Sequence, residues 1–197
     1  MTTRLNESWD IWNAEMGLAP GAWRRVLHDD PEGRRLYVEL EHGRISQAEW
    51  NAATGALLGL DDTTNLMGRA HARVRPAEPM HALVRAARAS GIRVALLSNS
   101  YGTDPYDPYA ELGVWDLCDV HVISEIEGIA KPDPRIYRRC LELLELPGED
   151  CVFVDDTAKN LPPAAALGIT TVHATDPATA AGELAAMLRI TPCGAAV

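Results

Sequence analysis

Four short apolar runs punctuate the second half of the chain: Val94-Ala95-Leu96-Leu97, Val120-His121-Val122-Ile123, Cys151-Val152-Phe153-Val154, and residues 169 to 173. Each is too short to be a helix of its own. The first three are nearly continuous in apolar character, as expected of strands covered on both faces. Helical stretches at 79–90, 134–145, 160–167 and 177–188 flank or separate the runs, and Gly91, Pro147-Gly148 and Gly168 stop three of them. Strands alternating with helices predict a doubly wound parallel sheet, an α/β fold with helices on both faces. Ligands of such sheets bind beyond the carboxyl ends of the strands. The residues that follow the runs are therefore where chemistry is expected.

Residues 1–76 have a different pattern, helical throughout, and a join is expected near 75–80. Leu5, Trp9, Trp12 and Met16 recur at helical spacing before Gly17. Pro20-Gly21 opens a second helix, Pro31 a third that Gly43 stops, and Ser46 caps a fourth with Glu49 at capping-box distance. Trp50, Leu57 and Leu58 are assigned to the apolar face of that helix, and a fifth helix is expected from about Asp62 to Val74. Four of the five tryptophans lie in this zone. They read as the core of a small helical bundle, with one or two lining a substrate cleft as the alternative.

A chain of 197 residues, 47% hydrophobic, has material for one core, or for one core and a small subdomain. The net charge of −10 argues against a nucleic-acid partner, which needs a basic face to displace counterions. It leaves room for a phosphate ester, because a pocket can be locally positive on an acidic protein. Cys118, Cys140, Cys151 and Cys193 show no CxxC spacing and no accompanying His cluster. They read as reduced thiols of a cytoplasmic protein, without a zinc site. The opening MTTRLNESWD has no apolar core of a signal peptide, and no stretch approaches the roughly 18 apolar residues of a membrane span. No membrane partner is expected.

Three strand-end clusters stand out. The first run ends in Ser98-Asn99, a hydroxyl and an amide able to cradle an anion, although turn residues of this kind are common at strand ends. Lys131 sits in the rigid stretch Gly128-Ile129-Ala130-Lys131-Pro132-Asp133-Pro134, framing that a solvated surface lysine does not need. The third run ends in Asp155-Asp156. Adjacent carboxylates repel one another, and a divalent cation or a nearby lysine relieves the repulsion. Helix capping is the plainer account of that pair. Asn160 lies near the start of the next helix, within reach of the same place. Tyr101, Tyr106 and Tyr109 follow in a loop rich in Gly, Pro and Asp, either lining an entrance or standing as surface turn residues.

Ser98-Asn99, then Lys131 in GIAKPDPRIY, then VFVDDTAKN, in this order and spacing, resemble three motifs of the haloacid dehalogenase superfamily. The helical zone resembles that family's inserted cap, which places the cap at 1–76 and a Rossmann-like core at 77–197. The pair Asp155-Asp156 is similar to the magnesium-dependent phosphatase branch, including the phosphatase domain attached to soluble epoxide hydrolase, and unlike the true dehalogenases. The resemblance implies Mg2+ as cofactor and a small phosphorylated molecule as substrate. It implies Asp156 as metal ligand with Asp155 beside it, Asp155 paired with Lys131, and Ser98, Asn99, Lys131 and Asn160 at the phosphoryl group. A bacterial receiver domain has the acidic pair before the lysine along the chain; here the lysine comes first.

The family chemistry begins with an aspartate in a strand–DxDx[TV] motif that attacks phosphorus, and nothing in the sequence matches it. Asp10 is the one early candidate, and it lies inside a helical pattern with no apolar strand before it. Two expectations follow. The native protein starts upstream and carries that strand, or the short form is real and is a catalytically inactive binding or regulatory protein. The first strand of this fold lies in the middle of the sheet. Without it, two neighbours keep unpaired edges, at about 1–3 kcal/mol for each buried unsatisfied backbone group. A net stability of about 5–15 kcal/mol tolerates this poorly. The short chain is therefore expected to be inactive, and weakly stable or a homo-oligomer.

Overall fold

The computed structural model describes Thr2 and residues 5–191. Cys193 lies outside them. Five helices come first: α1 Leu5–Glu15, α2 Ala22–His28, α3 Pro31–Glu41, α4 Gln47–Leu57 and α5 Leu66–His71. The α/β part follows as α6 Glu78–Ala89, β1 Ala95–Ser98, α7 Pro108–Glu111, β2 Val120–Ile123, α8 Ser124–Glu127, α9 Pro134–Leu144, β3 Val152–Asp155, α10 Leu161–Ala165, β4 Thr170–His173 and α11 Pro177–Leu188.

A repeated dipeptide sets several helix starts. Asp30-Pro31, Asp107-Pro108, Asp133-Pro134 and Asp176-Pro177 each place an aspartate at the N-cap, where its carboxylate accepts main-chain N–H bonds from the first turn. The proline that follows has its φ already set for a helix and has no N–H to leave unbonded. Ser46 and Glu49 form the expected capping box at the start of α4.

Trp9, Trp12, Trp23 and Trp50 are buried together with Leu27, Leu36, Leu40, Leu66 and Met67. Trp23 is central, with its ring 5.0 Å from Trp12 and 5.7 Å from Trp50, edge to face. The tryptophans are thus core. Trp9 also donates from Nε1 to His71 Nε2 at 3.3 Å, and His71 Nδ1 lies 2.8 Å from the Met67 carbonyl. One nitrogen accepts and the other faces an acceptor, which fixes a neutral imidazole.

Strand β3 shows why the sheet is doubly wound. Phe153 points to Ile136, Tyr137 and Cys140 of α9, while Val152 and Val154 point to α6 and α11. The strands pair in parallel as β1–β2 and β3–β4. Among the described residues no strand joins the two pairs, so β1 and β3 keep unpaired edges. The side chains of both strands reflect this. All four residues of β1 and three of β3 are only half-buried, whereas Val122 and Ile123 of β2 are buried. In a closed doubly wound sheet the inner strands would be the better covered.

Several elements depart from expectation. The helix expected over 62–74 is confined to Leu66–His71, because Asp62 accepts the Thr64 N–H in a local turn and Asn65 takes φ +44°. The helix expected at 160–167 is a 3-10 turn over Ala158–Asn160 followed by the short α10. Leu57, assigned to an apolar face, is 42% exposed. Helices α7 and α8 are too short to leave a periodic signal. No helix among the described residues is long and apolar enough to cross a membrane. Cys118, Cys140 and Cys151 are free thiols, and no His, Cys, Asp or Glu cluster of metal-binding size occurs among the described residues.

Candidate active site

The ends of β1 and β3 meet at Lys131. Its Nζ donates to Asp155 Oδ2 at 2.6 Å and to the Leu97 carbonyl at 3.0 Å, and lies 5.5 Å from the centre of the Phe153 ring. One ammonium therefore touches the carboxyl ends of both inner strands. The lysine loop is held by Asn99, whose Oδ1 accepts from Lys131 N at 2.8 Å and whose Nδ2 donates to Lys131 O at 3.0 Å. Asn99 is thus a two-point clamp on the main chain of Lys131.

Asp155 is buried and its oxygens are taken. Oδ2 binds Lys131, while Oδ1 accepts from Thr157 N at 2.8 Å and from Asn160 Nδ2 at 3.0 Å. Asn160 is itself buried, and its carbonyl accepts the Tyr137 hydroxyl at 2.7 Å. It braces Asp155 from within the fold. Asp156 differs in every respect. It is exposed, and its carboxylate has only Thr157 Oγ1 at 3.4 Å, while its main-chain carbonyl lies 3.0 Å from His173 Nε2. Of the two acidic neighbours, the one with oxygens free to ligate is Asp156.

Ser98 Oγ accepts the Tyr109 hydroxyl at 2.9 Å, and its own bond to the Asn99 carbonyl is long at 3.3 Å. Tyr109 is buried, so it is not a surface turn residue. Tyr101 packs between Tyr37 and His71, with ring centres 5.6 and 5.7 Å away, and Tyr106 stacks on His71 at 5.9 Å. Burial pushes the Tyr101 phenol up to about 12 and raises those of Tyr37 and Tyr109. These hydroxyls are proton-bearing donors at neutral pH.

Sequence reasoning missed Glu41 at the end of α3. Burial raises its carboxyl above the usual range, partly offset by Lys159, by a hydrogen bond with Asn99 and by Lys131. The helical zone thus brings an acidic group to the strand ends. A charged residue closing an otherwise amphipathic helix gives no signal of this in sequence.

The parallel pairs, the helices on both faces, and a lysine shared between two strand ends define a doubly wound α/β protein whose polar residues converge at the carboxyl edge. The chain belongs to the haloacid dehalogenase-like hydrolases, whose family model matches residues 9–168. It is 42% identical over 101 residues to mouse acyl-CoA dehydrogenase family member 10, a match covering 51% of this chain and 9% of that protein. It is 27% identical over 150 residues to the sesquiterpene phosphatase astK of Aspergillus oryzae, covering 75% of this chain and 76% of that one. Its fold resembles that of HAD family enzyme BT-2542 of Bacteroides thetaiotaomicron, solved with magnesium and inorganic phosphate. That likeness has a TM-score of 0.60 and 21% identity, and covers 86% of this chain and 84% of that one.

Proposed function

We propose that this chain forms the phosphoryl- and magnesium-binding site of a phosphohydrolase acting on a small phosphorylated metabolite, with residues 1–76 as its cap. The observation that carries the reading is the seating of Lys131. An ammonium has three N–H donors, and Leu97 O and Asp155 use two. The third is left for a phosphoryl oxygen.

Ser98 would add a hydroxyl donor, since its bond to Asn99 is weak and Tyr109 already fills one of its lone pairs. Asn99 sets the lysine, and Asn160 and Thr157 orient Asp155 toward it. Asp156 would hold Mg2+. A single free carboxylate fits that ion, which commonly keeps several waters and takes one or two carboxylates together with substrate phosphate. When bound, Mg2+ neutralises phosphate charge. The phosphatase relative and the magnesium–phosphate complex of BT-2542 support this assignment.

The attacking aspartate of this chemistry is not supplied by residues 5–191, so the chain as given is expected to bind without turnover. Calorimetry with inorganic phosphate and Mg2+ tests it. Binding is expected, weakened by about tenfold or more in Lys131→Ala and in Asp156→Ala. Absence of binding to the parent chain removes the reading, and magnesium-dependent phosphate release from an aryl phosphate removes the expectation of inactivity.

A second reading, a non-catalytic binding or regulatory protein, is favoured by one observation: among the described residues no third acidic or histidine ligand joins Asp155 and Asp156. Binding without turnover across a panel of phosphorylated metabolites fits it, and turnover of any of them excludes it.

A further inference from the structure

Helix α3 brings side chains of the helical zone to the strand ends. Tyr37 and Glu41 stand one turn apart on it, while Leu36 and Leu40 are buried in the tryptophan core. Gly43 lets the end of α3 press on the α/β part: at φ +64°, a Cβ there would lie 2.3 Å from the Glu125 carbonyl oxygen of α8. Glu41 thereby reaches Asn99, with which it shares a hydrogen bond, and lies in the fields of Lys131 and Lys159. The Tyr37 hydroxyl is hydrogen-bonded with that of Tyr101, their ring centres 5.6 Å apart, and the Tyr37 ring meets His28 at 6.1 Å. Lys159 is exposed, just before Asn160, and its charge acts on both Glu41 and His28. A carboxylate, an ammonium, an imidazole and two phenols therefore gather where α3 faces the strand ends, and the phosphoryl site leaves them without a role.

We infer that this junction binds the alcohol half of the substrate and selects a neutral, polyhydroxylated one, a polyol or sugar phosphate, with Glu41 and Lys159 as the specificity-determining pair. The inference rests on the phosphoryl-site reading above and adds to it the class of group the phosphate is attached to. Charge decides that class. An alcohol bearing an ammonium would meet Lys159, and one bearing a second carboxylate or phosphate would meet Glu41. A plain alkyl chain would strip water from both charges and return no hydrogen bond. Neighbouring hydroxyls suit the set, because each can donate to the carboxylate while accepting from the ammonium or a phenol. A site built to hydrogen-bond hydroxyls also rejects analogues that lack them, since its own polar groups are then left unpaired. Tyr37 and Glu41 come from the helical zone and Lys159 from the α/β part, so recognition of the alcohol needs both.

The test is calorimetry on the whole chain with Mg2+ and a set of small phosphates: inorganic phosphate, glycerol 3-phosphate, propyl phosphate, 2-aminoethyl phosphate and phosphoglycolate. Glycerol 3-phosphate is expected to bind at least about tenfold more tightly than propyl phosphate, which has the same carbons without the hydroxyls. It is also expected to bind more tightly than the two esters that carry a further charge. Glu41→Leu and Lys159→Ala are each expected to bring the glycerol-to-propyl ratio below about threefold. Tyr37→Phe, which keeps the ring, is expected to lower it as well. A merely structural fault weakens both esters together and leaves their ratio unchanged. If inorganic phosphate binds but propyl phosphate or either charged ester equals or exceeds glycerol 3-phosphate, the inference is overturned and the phosphoryl site stands. A preference that survives in all three variants overturns the assignment to this junction. No phosphate binding by a chain that circular dichroism shows to be folded removes the phosphoryl site, and the inference with it.

Discussion

Lys131 and Asp155, twenty-four residues apart, form an ion pair at 2.6 Å with side chains only 10% and 5% exposed. The pair ties the carboxyl ends of β1 and β3, which no strand hydrogen bond connects among the described residues. Removing one partner leaves the other charge buried and alone. Lys131→Ala and Asp155→Ala are each expected to lose about 3–5 kcal/mol in urea unfolding. The double change Lys131→Met with Asp155→Leu is expected to cost clearly less than the sum of the singles, a coupling that a double-mutant cycle reads directly.

Asn99→Ala removes both bonds to the Lys131 main chain. A loss of about 1–3 kcal/mol in stability is expected. Phosphate affinity should fall with it, although Nζ itself is unchanged. Asn99→Asp keeps the acceptor for Lys131 N and loses the donor to Lys131 O, so an intermediate effect is expected in calorimetry.

Ser46→Ala breaks the capping box of α4 while touching nothing at the strand ends. About 0.5–2 kcal/mol should be lost in thermal or urea unfolding. Phosphate binding should stay at the parent level.

His71 gives a pH signature. Burial lowers its pKa from 6.5, offset in part by the bond to Met67. Between the folded value and 6.5 the unfolded chain holds more protons than the folded one. Stability from this group is therefore complete above about 6.5 and lost as pH falls through that window. His28 acts in the same sense, while Glu41, raised from 4.5, loses stability as pH rises from that value. The difference between the parent and His71→Gln isolates the single group. The variant should show a shallower fall of unfolding free energy from pH 7 to 5.

Much of the fold was legible because its signals are local. Apolar runs marked the strands to within a residue, and the prolines and glycines marked helix ends. The site's parts were legible for a related reason: a strand must end somewhere, and polar residues at four such ends are few. What was not legible depends on contacts between distant residues. Asn99 and Asn160 look like ligands in sequence, yet their amides are engaged by Lys131 and Asp155. Tyr109 reads in sequence either as an entrance residue or as a surface turn residue, and only the structure shows it buried against Ser98. Glu41 lies nearly sixty residues before Asn99 and reaches it only through the packing of α3. The helix expected over 62–74 was shortened by the turn at Asp62, where a side chain competes locally with the helix for backbone N–H groups.

Gln47, the first residue of α4, illustrates what such a distant contact does mechanically. Its buried amide donates to the carbonyls of Tyr101 and Tyr106 at 2.8 and 3.0 Å and accepts from Tyr106 N at 2.9 Å. The segment that leaves β1 at Ser98 is thus moored to the helical zone midway, before it returns to Ser98 through Tyr109. The segment acts as a tow line. A displacement of α4 would be transmitted through Gln47 to the segment that ends at Tyr109, whose hydroxyl is bonded to Ser98.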